Sequence, residues 1–130
     1  MTAAVLETRG TLAIAPSARA PRLARAFLTE VFRERDLGDD YVGRLVITEL
    51  VTNVHKHVGG DMLVAHVLCD DGAPVIQVWD ERGDRLPAIP PDDLAAECGR
   101  GLLLMSVLVS AWGTRPLLEG GKIVWARLPR

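Results

Sequence analysis

The feature that most limits how this chain can fold is a pair of strand-length apolar runs, MLVAHVLCD (62–70) and PVIQVWD (74–80), with Asp71-Gly72 between them. An Asp-Gly step between two such runs reads as a tight hairpin turn. A sheet is therefore the expected centre of the fold, and the other segments are read by what they add to it. GTLAIAPS (10–17) is short, partly alternating and turn-terminated, so it reads as a further strand. TRPLLEGGKIVWARLP (114–129) gives two more strands around Glu119-Gly120-Gly121.

Between the first strand and the hairpin lie two helical patterns. Leu23, Phe27 and Val31, with Ala20, Ala24 and Leu28, recur at helical spacing. They predict a helix over about 18–36, with Pro21 in its first turn and Gly38 as its stop. Asp39 or Asp40 can cap a second helix over about 40–57, ended by Gly59-Gly60. Residues 81–99 carry three prolines and many charges, and read as a long irregular loop. RGLLLMSVLVSAW (100–112) is apolar on nearly every side and reads as a buried third helix. The order β-α-α-β-β-loop-α-β-β predicts a two-layer α/β (α+β) sandwich, a mixed sheet with three helices on one face. Residues 1–9 read as a flexible tail, and 10–130 as a single domain.

Composition fits one globular unit: 48% of the 130 residues are apolar and 25% charged. A formal net charge of −2 and a pI near 5.9 give no support for direct nucleic-acid binding or for an anionic membrane partner. The first 20 residues lack the apolar region of a signal peptide, and the run 102–112 is about half of what a membrane span needs. A cytoplasmic protein is expected. Cys69 and Cys98 form no metal-type spacing and read as free thiols.

The chemistry-bearing stretch is ELVTNVHKHVGG (49–60). On a helix over 40–57, Val46, Ile47, Leu50, Val51 and Val54 fill one arc, and Arg44, Thr48, Thr52 and His55 fill the opposite one. Glu49 and Asn53 stack one turn apart at the margin of the apolar arc. A carboxylate placed there is partly desolvated and needs a partner. Two readings stand on the residues alone. One is a surface Glu capping a neighbour, with an Asn bonded to backbone. The other is a metal–phosphate site, in which Asn53 offers a neutral oxygen to Mg²⁺ and Glu49 orients or deprotonates an attacking hydroxyl.

Two further stretches bear on that choice. GRGLLL (99–104) puts Gly99 and Gly101 around Arg100 at the start of a helix, where backbone N–H groups can approach an anion. Asp80 ends a strand and opens the loop, where a carboxylate can accept a hydrogen bond from an exocyclic amine. The remaining candidates have plainer readings. His55 and His57 diverge on a helix and His66 lies on a strand, which is no zinc site. Ser106 and Ser110 have no base beside them, and the three tryptophans read as core or interface anchors.

Taken together and in this order, these stretches resemble the GHKL (Bergerat) ATPase family, and most of all its short anti-sigma-factor serine kinases and their actinobacterial relatives. ITELVTNVHKH resembles the N box, VIQVWDERGDRLP a shortened G1 box, GRGLLLMSVLVSAWG the G2 box, and GGKIVWARL the closing strand. The resemblance covers about 10–128 and implies a Bergerat ATP-binding fold. It implies that Glu49 is the general base, that Asn53 is the Mg²⁺ ligand, and that Asp80 accepts the adenine amine. Gly83 stands in for the G1 glycines, Gly99, Arg100, Gly101 and Leu102 carry the phosphate-binding turn, and residues 81–98 form the ATP lid. His57 matches a histidine common after the N box in the actinobacterial relatives. The family's closing strand carries a Thr that helps hold adenine, and Ile123 is expected in its place. The function implied is a Mg-ATP-dependent protein-serine/threonine kinase that phosphorylates an anti-sigma-antagonist protein and sequesters a sigma factor. The alternative is a non-catalytic protein-binding module of the same fold with weak or lost nucleotide binding. Relatives often form homodimers.

Overall fold

The computed structural model describes residues 6–83 and 100–129, with the backbone alone at 6–8 and at Arg100. Six strands, β1 (Leu6–Thr8), β2 (Thr11–Ile14), β3 (Leu63–Asp70), β4 (Ala73–Asp80), β5 (Ala111–Pro116) and β6 (Lys122–Arg127), form one sheet in the order β1-β2-β3-β4-β6-β5. Three helices, α1 (Ala20–Arg35), α2 (Tyr41–Asn53) and α3 (Arg100–Leu108), pack on one face of it. This is a two-layer α+β architecture.

The Asp71-Gly72 hairpin joins β3 to β4. Asp71 and Gly72 both take left-handed φ, 52° and 81°, as a two-residue turn between twisted strands requires. It sets Ala65 opposite Val78 and Val67 opposite Ile76, all buried on the helix side. The same alternation puts Leu12 and Ile14 of β2 and Val124 and Ala126 of β6 into that core.

Four expectations need correction. The sheet was expected to be mixed, but all five neighbouring pairs run antiparallel. The reason is that the β5–β6 hairpin inserts β6 beside β4, so β5, which runs in the direction of β4, never touches it. The third helix was expected to reach residue 112, but it ends at Leu108, and Ala111 and Trp112 begin β5. A continuous apolar run does not mark where helix gives way to strand. Nor is α3 buried all round, since Leu104 and Val107 are exposed while Leu102 and Met105 enter the core. Within the stretch expected as a tail, Leu6–Thr8 pair with β2 as an edge strand.

The helices begin and end for local reasons. Pro21 sits in the first turn of α1, and Asp36 takes a left-handed conformation at its end. The Asp39 carboxylate accepts from the Tyr41 amide, the first of α2, at 2.7 Å, and the N-cap residue Asp40 turns its carboxylate to accept from Thr29 of α1 at 2.6 Å. After Asn53 the helix continues as a π turn, Val54–Val58, closed by Gly59 N–H donating to the Val54 carbonyl at 2.8 Å. Among the described residues no helix is long and apolar enough to cross a membrane.

Candidate functional site

The site is built where the end of α2, the end of β4 and the start of α3 meet. Val46, Ile47, Leu50 and Val51 are all buried, and they fix the rotation of α2 about its axis. That rotation leaves Glu49 and Asn53 at the margin, each half-buried, as the helical projection requires. The first turn of α3 is seated by Leu102, 3% exposed, and Met105, 2% exposed. Seating it there brings Gly101 directly against the Glu49 carboxylate. A Cβ at position 101 would overlap both carboxylate oxygens. Glycine at this position is therefore what allows α3 to approach the acid, and the two motifs become neighbours across 52 residues of sequence.

Half-burial raises the Glu49 pKa, because a desolvated carboxylate resists ionisation; the nearby positive charges of Lys56 and His57 pull it back in part. A carboxylate made more basic in this way is better suited to accepting a proton near neutral pH. His57 is exposed on the π turn and acts on Glu49 through its charge.

The β4 end is different. Asp80 is 1% exposed and Lys122 of β6 is 2% exposed, and the two are register partners across the strands. The Lys122 ammonium donates to Asp80 Oδ2 at 2.7 Å, to Oδ1 at 2.9 Å and to the Arg82 carbonyl at 3.1 Å. The Arg82 amide donates to Oδ1 at 2.9 Å. The assignment of Ile123 to the place beside Asp80 is thus corrected. Ile123 lies opposite Trp79 on the outer face of the sheet, and Lys122 takes the inner position. The signal was in the sequence. Strand alternation places Lys122 on the same face as Val124, Ala126 and Leu128, and that apolar face is the core.

Glu81 joins the two halves. Its carboxylate accepts from the Asp61 amide and, at 2.7 Å, from the Met62 amide, which ties the end of β4 to the segment that follows the π turn. Gly83 packs against the Gly121 carbonyl in the turn before β6. Of the other site residues expected from sequence, Leu102 contributes its side chain to the core, Arg100 opens α3, and Gly99 and lid residues 84–98 lie outside the described residues.

Among the described residues no three His, Cys, Asp or Glu side chains gather as a metal cage. Asn53 is the candidate ligand here, and Mg²⁺ characteristically takes one or two protein ligands and completes its shell with phosphate oxygens and water. No model of a known protein family matches the chain, and no curated protein matches it either.

Proposed function

We propose that this chain is a cytoplasmic ATP-binding regulatory protein of the GHKL (Bergerat) type, and that it acts as a Mg-ATP-dependent protein-serine/threonine kinase. Its protein substrate would be an anti-sigma-antagonist and its sequestered partner a sigma factor. The observation that supports the reading best is the meeting of Glu49 with Gly101. A carboxylate of raised basicity lies at the glycine-opened first turn of a helix, with Asn53 one turn away on the same margin. That combination joins a proton acceptor, a neutral oxygen ligand and a backbone suited to phosphate.

In this reading Glu49 takes the proton of a serine or threonine hydroxyl as that oxygen attacks the γ-phosphorus. The bond from the γ-phosphorus to the β–γ bridging oxygen breaks, and ADP leaves. Mg²⁺ held at Asn53 would neutralise phosphate charge. The protein's share is mostly positioning, which for phosphoryl transfer is the larger part of catalysis.

Calorimetric titration with Mg-ATP tests the proposal. Wild type should bind, and Asn53→Ala should bind at least about tenfold more weakly, about 1.4 kcal/mol. Glu49→Ala should keep nucleotide binding while release of γ-phosphate from labelled ATP falls by about 10²-fold or more. Equal binding by wild type and Asn53→Ala would remove the metal assignment, and undiminished turnover in Glu49→Ala would remove the base.

A second reading is favoured by one specific observation, the burial of Asp80 behind Lys122. If that pairing closes the site altogether, the chain is a protein-binding module without nucleotide. Absence of heat at millimolar Mg-ATP would select this reading.

A further inference from the structure

A carboxylate buried to 1% exposure must have its charge answered inside the protein, and Asp80 has its answer already. All three ammonium hydrogens of Lys122 are used, two on Asp80 and one on the Arg82 carbonyl. Three acceptor positions of Asp80, out of about four on a carboxylate, are taken by Lys122 and the Arg82 amide. The arrangement is held by the strands themselves, because Asp80 and Lys122 face one another directly across the β4–β6 ladder. An amine of the protein is therefore already seated on Asp80, the carboxylate to which the family resemblance assigns a ligand's amine.

We infer that Lys122 determines base specificity: it takes the place of a ligand's exocyclic amine at Asp80, so the site binds nucleoside triphosphates without preference for a 6-amino group. This rests on the nucleotide reading above and deepens it. Affinity comes from the phosphate end at α2 and α3. A pocket that hydrogen-bonds an N–H discriminates strongly against the analogue lacking it, whereas a pocket whose acceptor is already paired has no such lever.

Paired titrations with Mg-ATP and Mg-inosine triphosphate, which carries a carbonyl in place of the 6-amino group, test this on the wild-type protein. The two dissociation constants should agree within about threefold, a difference well under 1 kcal/mol. Lys122→Thr, verified as folded by circular dichroism, should gain at least about tenfold preference for ATP, because Asp80 is then left to find a ligand amine. A tenfold ATP preference in wild type overturns the inference whether or not the variant folds. So does a folded Lys122→Thr that binds both nucleotides equally. If wild type and variant bind neither nucleotide, the proposed function and this inference fall together; if both bind without discrimination, only this inference falls.

Discussion

The two acidic groups of the candidate site have opposite circumstances. Asp80 ends β4 and Glu49 lies one turn before the end of α2. Asp80 is sealed, ion-paired and hydrogen-bonded by neighbours that the fold brings to it. Glu49 is half-buried against a glycine, and among the described residues the charges of Lys56 and His57 relieve it in part. The first arrangement is finished within the protein and serves the fold. The second carries a desolvation cost that its neighbours relieve only in part, a common condition of groups that act on a ligand. The difference shows that a carboxylate at a motif position is defined by what faces it.

The largest effect expected from breaking this contrast is at Lys122. Lys122→Met leaves Asp80 buried and unpaired and should cost about 3–5 kcal/mol of stability. Urea denaturation measures it directly. The double replacement Asp80→Leu with Lys122→Met should recover most of that loss, because exchanging both members of a buried pair for apolar groups is often neutral. If the single variant loses less than about 1 kcal/mol, the pair is not a structural closure, and its separation from the Glu49 corner disappears.

Much of this was legible in the sequence because periodicity is a direct consequence of burial. The apolar arc of α2, the margin position of Glu49 and Asn53, and the Asp71-Gly72 hairpin all follow from local pattern. What was not legible depended on pairing between distant strands. The exchange of Ile123 for Lys122 beside Asp80 is a one-residue difference in register, which inverts the two faces of a strand. The role of Glu81 was hidden for a related reason, since its partners are backbone amides and leave no trace in residue type. The end of α3 is hidden because LLLMSVLVSAW has no glycine, proline or charged residue to mark the change from helix to strand, and Ser110, which falls between Leu108 and Ala111, is compatible with either.

Glu81 offers the next sharpest test, because it connects the two corners. Glu81→Ala removes the acceptor shared by the Asp61 and Met62 amides and should cost about 1 kcal/mol, with the carboxylate itself exposed. Hydrogen exchange at those two amides should accelerate while exchange in the β3 and β4 ladder stays unchanged. A smaller effect on stability, with a specific effect on the site, is expected for Gly101→Ala. The added methyl group favours the helix by about 0.5–1 kcal/mol but displaces the Glu49 carboxylate. Melting temperature should barely move, and ATP turnover should fall as it does for Glu49→Ala.

The smallest effect is the most informative about Glu49, since it isolates the desolvation cost. Its pKa in the folded protein lies above the ordinary value of 4.5, because burial outweighs the pull of Lys56 and His57. The folded state therefore favours the protonated acid more than the unfolded chain does. The associated stability is fully present below 4.5 and is lost as pH rises through the raised value. Glu49→Gln keeps the shape and removes the titration. At about pH 4 the variant and wild type should melt together, and at about pH 7 the variant should be the more stable of the two. Added salt screens Lys56 and His57 and should widen that gap, since both cations lower the cost of the charge. A wild type more stable than Glu49→Gln at neutral pH would mean that the carboxylate is compensated within the fold, as Asp80 is, and the contrast between the two acids would be gone.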